Sequence, residues 1–391
     1  MNSPASAPSE RPDEAAAMRR ALELARRGEG WVEPNPQVGA VVLGHDGSVV
    51  GEGWHARFGG PHAEVVALAA AGDSARGGTL VVTLEPCCHH GKTPPCTDAV
   101  IASGVRRVVI AAEDPFPRVS GAGVARLRAA GLEVETGTLA AEAERITAPF
   151  RRLVNDGRPW VIAKWAMSLD GRIATSGGDS RWISGEASRA LVHALRGRMD
   201  AIMVGIGTAL ADDPLLTARP AGPRAALRVV VDSKARLPVT SRLVRSAGEA
   251  PILVAAGPEA SSERLDALAT AGCQVWRGID VERDARLLSL LRHLGDTGVT
   301  NLLVEGGAQL LGGLFDSGSL DEVWAFVAPT LVGGAAAPAA LGGLGVGRMA
   351  QAPRIDVEHV TRSGDDVLMR GLVERRGWDP GSVRGNRREE P

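Results

Sequence analysis

Apolar positions in the first 140 residues switch between helical and strand periods. Residues 13–27 carry Met18, Leu22 and Leu24 at helical spacing, which predicts an amphipathic helix. Residues 38–43 and 49–53 read as strands joined by Gly44-His45-Asp46-Gly47, a hairpin signal. Pro61 leads into a helix over 62–71, followed by a strand over 79–84. Pro94-Pro95 set up a second helix that begins near Cys96, and a strand over 107–111, a helix near 124–130 and a strand over 132–136 follow. The order predicts a three-layer α/β sheet with both helix starts on one edge.

The pattern breaks within 145–158 and resumes with a strand from 159 that leads to Ser168-Leu169-Asp170-Gly171-Arg172. Helices are expected over 185–198, 261–271, 281–294 and 308–316. Strands are expected over 201–204, 227–232, 251–255, 274–276 and 301–304. An antiparallel set over 321–332 and 355–373 closes the chain. Alternating β and α elements make this half an α/β nucleotide-binding domain. The polar, Pro/Gly-rich ends read as disordered. The expected division is 1–12 disordered, 13–148 and 149–375 as the two domains, and 376–391 as a tail. The Ala/Gly-rich stretch 333–347 has no evident role.

Length agrees with two domains: 391 residues give ample core for each. The net charge of −2 implies no polyanion partner. Lys92, Lys164 and Lys234 are the only lysines among 44 basic residues, which with the absence of Tyr speaks of a GC-rich genome more than of function. Three of the four cysteines cluster, which argues against a disulfide framework and for a reducing, cytoplasmic compartment. Cys273 stands alone as a small buried apolar residue. No run of 18 apolar residues and no charged-then-apolar start is present, so neither a membrane span nor secretion is expected.

The chemistry concentrates in residues 61–98. His62-Ala63-Glu64 is followed by Glu85-Pro86-Cys87-Cys88 and by Cys96. Zinc deaminases use one His and two Cys as ligands and a nearby Glu as proton carrier. A catalytic zinc takes three protein ligands and leaves one position open, whereas a structural zinc takes four. Taken alone, His-Ala-Glu is a common surface-helix sequence and a Cys pair can be core. Together they favour an open zinc site with Glu64 as the acid–base group. By spacing alone the third ligand is His90 or Cys96. Cys96 is favoured because the two prolines set up a helix start there.

Several other positions admit two readings. Asn35, between Pro34 and Pro36, is either turn chemistry or a rigid reader of a substrate base. No Gly-x-Gly-x-x-Gly opens a helix after a strand, so a Rossmann fingerprint is missing. Gly205-Ile206-Gly207-Thr208 and Glu305-Gly306-Gly307-Ala308 are ordinary tight turns or phosphate-binding junctions. Asp212-Asp213-Pro214 reads as a turn. Arg196 and Arg219 are surface charges or forked grips on a phosphate.

Pro34-Asn35-Pro36, Val38-Gly39, His62-Ala63-Glu64, the run from Thr83 through Cys87 with His89 to Cys96, and Asp114-Pro115 with Pro117 closely resemble the deaminase half of the bifunctional riboflavin-biosynthesis deaminase/reductase family. The later motifs resemble its reductase half: Ser168 to Arg172, Ser180 with Trp182-Ile183, Leu210 to Pro214, Val231-Asp232-Ser233 and Val304 to Gly307. The match spans about 14–372. The resemblance implies a cytidine-deaminase-like three-layer domain followed by a dihydrofolate-reductase-like domain, with Zn²⁺ and NADPH as cofactors.

By that resemblance the first half deaminates 2,5-diamino-6-(5-phosphoribosylamino)pyrimidin-4(3H)-one. The second reduces the ribosyl chain to ribityl, giving 5-amino-6-(5-phosphoribitylamino)uracil. Zinc ligands fall on His62, Cys87 and Cys96 and the proton carrier on Glu64. Deaminase substrate contacts fall on Asn35, His89 and Lys92. Cofactor contacts fall on Ala166, Trp182, Thr208, Asp212, Ser233 and the run Gly307, Ala308, Gln309, Leu310, Leu311, Gly312 and Gly313. Reductase substrate contacts fall on Ser180, Arg196, Leu216, Arg219 and Glu305. Asp212 and Glu305 are the candidate proton donors, and a homodimer through the second domain is implied. The family often has Ser where this chain has Cys88, which should not block the chemistry. Two rival readings remain: a nucleic-acid base deaminase, which needs a basic groove, and a non-catalytic scaffold with structural zinc, which leaves Glu64 without a purpose.

Overall fold

The computed structural model describes residues 12–89, 94–117 and 119–374. The expected disordered ends lie outside these residues, except that Pro12 opens the first helix. The chain divides into two compact units between Asp156 and Gly157.

The first unit runs α1 (Pro12–Arg26), β1 (Gly39–Leu43), β2 (Val49–Trp54), α2 (Ala63–Ala71), β3 (Thr79–Leu84), α3 (Cys96–Ser103), β4 (Arg107–Ala112), α4 (Ala122–Ala129), β5 (Glu133–Thr136), α5 (Ala140–Ile146) and α6 (Ala148–Asp156). Its five strands lie in the order β2-β1-β3-β4-β5. The hairpin β1–β2 and the pair β1–β3 are antiparallel, while β3, β4 and β5 are parallel. β1 and β4 are buried along their whole length, as expected for apolar runs covered on both faces.

Glycines show which helix lies on which face. A Cβ on Gly39 would stand 1.9 Å from the carbonyl oxygen of Ala21 in α1. A Cβ on Gly53 would stand 2.5 Å from backbone atoms of Ala63 and Ala67 in α2. Gly53 pairs with Ala40, the neighbour of Gly39, so the two glycines face opposite ways. Hence α1 and α2 sandwich the sheet, each seated directly on strand backbone. Met18, Ala21, Leu22 and Ala25 form the buried stripe of α1. Arg107, buried at the start of β4, ties Glu14 of α1 (Nε to Oε1, 2.8 Å) to Glu133 and Glu135 of β5.

The second unit runs β6 (Trp160–Ser168), α7 (Glu186–Arg196), β7 (Ala201–Gly205), α8 (Ile206–Asp212), β8 (Leu227–Val231), α9 (Arg242–Arg245), β9 (Ile252–Ala256), α10 (Ser262–Thr270), β10 (Gln274–Arg277), α11 (Arg283–Asp296), β11 (Asn301–Val304), α12 (Ala308–Asp316), β12 (Glu322–Ala328), β13 (Arg354–Ser363) and β14 (Asp366–Glu374). The sheet order is β10-β9-β8-β7-β11-β6-β12-β14-β13. The first seven are parallel, β14 is antiparallel to β12, and β13 is antiparallel to β14. Neighbouring residues of one strand enter different cores. Ile202, Val204 and Val230 join one cluster, and Ala201, Met203 and Val229 join the other. Both faces are therefore dry, and chemistry is left to the strand ends.

Three expectations shift. The boundary expected within 145–158 falls after Asp156: α5 and α6 fill most of the stretch and α6 belongs to the first unit, so the units part there rather than at 148/149. The stretch 206–212 is a helix, and 355–373 is a hairpin of two strands.

Because Gly53 touches the backbone of α2, Gly53→Ala should push that helix off the sheet and cost roughly 1–3 kcal/mol. Urea unfolding of the full chain, read at the first unit's transition, checks this; an unchanged midpoint would contradict the packing.

Candidate functional site

His62 caps α2 rather than opening it, so the helix expected over 62–71 begins one residue later. Glu64 sits in the first turn of α2. β3 delivers Glu85, Pro86 and Cys87, and Cys96 opens α3 with Pro95 at its cap. The donor atoms of His62, Cys87 and Cys96 converge within 4.8 Å of one another. His62 Nδ1 lies 3.1 Å from Cys96 Sγ and 3.6 Å from Cys87 Sγ. Ligand bonds of about 2.0–2.3 Å at tetrahedral angles place neighbouring donors roughly 3.5 Å apart, so this trio has the spacing of one zinc ion's shell. Among the described residues no fourth donor joins it. His90, the alternative ligand, lies outside them.

Protonation fits the same chemistry. Cys96 and then His62 hydrogen-bond to the Cys87 sulfur and lower its thiol to about 4, and the Cys96 N–H adds a bond at 3.3 Å. Cys96 is pushed up because it keeps the shared proton against Cys87. Two sulfurs this close hold one proton between them, and a divalent cation in its place lets both ionise. Glu64 is buried beside them, and burial pushes its carboxyl up to about 7.

The trio opens on a cavity of about 360 Å³. Asn35 lines it, and its orientation follows from a chain of bonds. His55 Nδ1 lies 3.0 Å from the carbonyl oxygen of Pro61, which can only accept, so Nδ1 carries the proton. His55 Nε2 then accepts from Asn35 Nδ2 at 3.1 Å. That leaves Asn35 Oδ1 as an acceptor. Burial lowers the His55 pKa and keeps the ring neutral, as this chain requires. His89 lines the cavity with a buried Nδ1 that has no hydrogen-bond partner among the described residues. Lys92 lies outside the described residues. Asp114, also in the wall, is raised to about 6 by burial.

The second unit holds a cavity of about 1160 Å³ at the ends of its parallel strands. β7 ends at Gly205, β8 at Val231 and β11 at Val304. β6 runs on past β11, so Lys164 stands where β11 has stopped. Of the expected residues, Ala166, Ser180, Trp182, Arg196, Thr208, Asp212, Leu216, Arg219, Ser233, Glu305 and the run from Gly307 to Leu311 all line this cavity. Gly306 and Gly307, at φ 96° and 84°, make the turn into α12 that only glycine adopts cheaply. Leu216 holds φ 55° in the wall, a conformation that branched residues avoid. Asp213 caps the end of α8, so the expected 212–214 turn is a helix terminus.

Gly312 and Gly313 stand apart from the rest of the expected run. They do not line the cavity. A Cβ on Gly312 would strike the Gly342 carbonyl at 2.2 Å, and one on Gly313 would meet Leu287 of α11 at 2.9 Å. Both are packing glycines.

Arg196 forks onto Glu305: Nε to Oε1 at 2.5 Å and Nη2 to Oε2 at 2.8 Å, with Nη1 on the Thr217 carbonyl at 3.3 Å. Few of its donors remain for a phosphate. Arg219, exposed, gives one bond to His193 Nε2 at 3.2 Å and keeps the rest. Glu305 is buried, yet its pKa is lowered: burial alone would raise it, and the Arg196 and Lys164 charges outweigh that. Lys164 Nζ lies 4.0 Å from Glu305, and burial lowers its pKa. Reading from the sequence missed Lys164 and His55. The signal for Lys164 was a lysine inside an apolar strand in a chain that otherwise uses arginine.

Residues 11–112 match the family described as the cytidine and deoxycytidylate deaminase zinc-binding region, and residues 159–369 match the RibD C-terminal domain. The riboflavin biosynthesis protein RibD of Bacillus amyloliquefaciens is 40% identical over 371 residues, covering 95% of this chain and 99% of its own. That of Escherichia coli (strain K12) is 39% identical over 369 residues, covering 90% and 97%. The solved structure of Acinetobacter baumannii RibD superposes with a TM-score of 0.82 at 36% identity, over 92% of this chain and 99% of the other. A Thermotoga maritima structure described as a diaminohydroxyphosphoribosylaminopyrimidine deaminase/5-amino-6-(5-phosphoribosylamino)uracil reductase gives 0.79 at 36%, over the same shares. With its two family matches in order and relatives aligned along nearly its whole length, the chain belongs to the RibD family of bifunctional deaminase–reductases of riboflavin biosynthesis.

Proposed function

We propose that the first unit deaminates 2,5-diamino-6-(5-phosphoribosylamino)pyrimidin-4(3H)-one and that the second reduces the ribosyl side chain of the product to ribityl. The observation that carries the first step is the His62–Cys87–Cys96 trio with buried Glu64 beside it. Zn²⁺ held by the trio is a Lewis acid that brings the pKa of water near neutral. Deamination joins the water oxygen to the ring carbon, breaks the C–N bond and releases ammonia. Glu64, with a carboxyl near 7, takes the water's proton and returns it to the departing nitrogen. Asn35 Oδ1 and His89 read the edge of the pyrimidine.

For the second step NADPH supplies hydride. The cavity wall carries many cationic side chains, including Arg219, Lys234 and Arg283, which suit a phosphorylated substrate and cofactor. Glu305 is held ionised, which disfavours it as a proton source on its own, and the adjoining Lys164 ammonium is the better-placed donor. Asp212 is turned toward Arg181. The setting is cytoplasmic, the partners are small molecules rather than nucleic acid, and no described helix is long and apolar enough to cross a membrane. A second copy of the chain is expected on the second unit, where β13 ends the sheet with Val357 and Val360 exposed.

Glu64→Gln should cut ammonia release roughly 100- to 10,000-fold. Zinc content and NADPH oxidation on the deaminated product should be unchanged, and stripping zinc with a chelator should give the same split. Deamination at the normal rate in either case would refute the assignment. Arg196→Met should abolish reduction and lower the second unit's stability by roughly 3 kcal/mol, because it strands a buried carboxylate. Arg219→Gln should raise the reductase KM roughly tenfold with stability unchanged. Thermal melts and NADPH kinetics separate the two. Sedimentation at micromolar concentration should give a dimer that Val360→Asp dissociates.

A further inference from the structure

The chain holds five phenylalanines and no tyrosine. Three of the five, Phe58, Phe116 and Phe150, line the deaminase cavity. Phe315 and Phe326 belong to the cores of the second unit. A chain so poor in rings therefore spends most of its phenyl groups on one space of about 360 Å³ whose other walls carry acids, imidazoles and an amide.

Phe116 is the ring whose backbone is tied to the metal trio. Its N–H donates to Asp114 Oδ1 at 2.8 Å, and its carbonyl accepts from Val119 at 2.8 Å and Ser120 at 3.0 Å. The turn so formed hangs on Glu85. One Glu85 oxygen accepts from the Asp114 N–H at 3.3 Å and the Gly121 N–H at 3.0 Å, and the other accepts from the Val124 N–H at 3.0 Å. Glu85 stands two residues before Cys87, so one buried carboxylate sets both a metal-ligating strand end and the turn that carries the ring. The ring is only half-buried, unlike a core phenylalanine. It meets the His89 imidazole with centroids 5.9 Å apart and planes at 41°, so the two make a corner in the cavity wall.

A pyrimidine carries its donors and acceptors around its edge. Its two faces make no conventional hydrogen bonds and stack on flat apolar groups. The edge-reading groups are already present in Asn35, His89 and Glu64. We propose that Phe116 is a specificity-determining residue of the deaminase, the surface on which the pyrimidine ring stacks while its edge faces Glu64 and the metal trio. The proposal rests on the deaminase reading above. Stacking of a base on an aromatic side chain is worth roughly 5- to 100-fold in binding. Because the contact is made alike before and during reaction, its loss falls on KM rather than on kcat.

The test is steady-state ammonia release from 2,5-diamino-6-(5-phosphoribosylamino)pyrimidin-4(3H)-one by the full-length zinc enzyme. Phe116→Ala and Phe116→Leu are compared with the wild-type chain, with zinc content and reduction of the deaminated product as controls. Leucine keeps apolar bulk and removes the flat face. The expected result is a KM raised at least roughly fivefold in both variants, with kcat, zinc and reduction close to wild type. A wild-type KM in Phe116→Leu overturns the proposal, whether or not Phe116→Ala folds, because bulk alone would then suffice. A fall in kcat at unchanged KM also overturns it. Failure of the wild-type chain to release ammonia would instead strike the deaminase reading.

Discussion

A parallel sheet covered on both faces has only its strand ends to offer for chemistry. Both units obey this constraint. Cys87 follows β3 and Asp114 follows β4 in the first; Ser233 follows β8 and Glu305 follows β11 in the second. Helices begin at the same ends: Cys96 opens α3, His62 caps α2 and Ala308 opens α12. The exposed amides and partial positive charge of helix starts favour anions. Sulfur ligands gather at one such edge, and the glycine turn before α12 suits a phosphate at the other. The two cavities share no element, since each is lined by residues of its own unit.

Each cavity also holds a buried glutamate, and the surroundings give the two opposite characters. Glu64 has burial as its dominant influence, so its proton is loosely poised near neutrality. Glu305 is desolvated as well, but a forked arginine and a lysine hold it as a carboxylate. The first can carry a proton back and forth. The second fixes Arg196 and Lys164 in place, and breaking that pair would leave an uncompensated charge in a dry setting. Identical side chains are thus held in opposite states, one poised near neutrality and one fixed as a carboxylate.

What was legible in the sequence was local. His62, Glu64, Cys87 and Cys96 stand close enough in the chain, with prolines marking the helix starts, for spacing to carry the chemistry. The Arg196–Glu305 fork spans 109 positions, and the Asn35–His55 bond depends on how a hairpin folds back. Neither leaves a local trace. The close packing at Gly312 and Gly313 was not legible, because a glycine that admits a phosphate and one that admits a neighbouring chain look alike in sequence. The boundary placed within 145–158 fell on a helix, α6, whose Pro149 sits in its first turn, where proline is well tolerated.

The loose stretch 333–347 gains a physical reason on the same grounds. Asp170 receives the N–H groups of Val332 at 3.0 Å and Gly333 at 2.7 Å, and the Val332 bond, then one from the Ser168 side chain, then the Gly333 bond lower its carboxyl to about 2. Asp316 receives those of Leu344 at 2.7 Å and Gly345 at 3.0 Å. Between the two clamps, Ile173 donates to Pro338 at 3.0 Å and Gly342 to Ala308 at 2.8 Å, so the strap lies along the start of α12 and lends Pro338 to the cavity wall. Side chains there would collide with the helix: Gly342 and Gly312 stand backbone to backbone, and a Cβ on Gly343 would press on Asp316 at 2.3 Å. Small residues at 342 and 343 are therefore what close approach to α12 demands, while the rest of the strap is largely exposed.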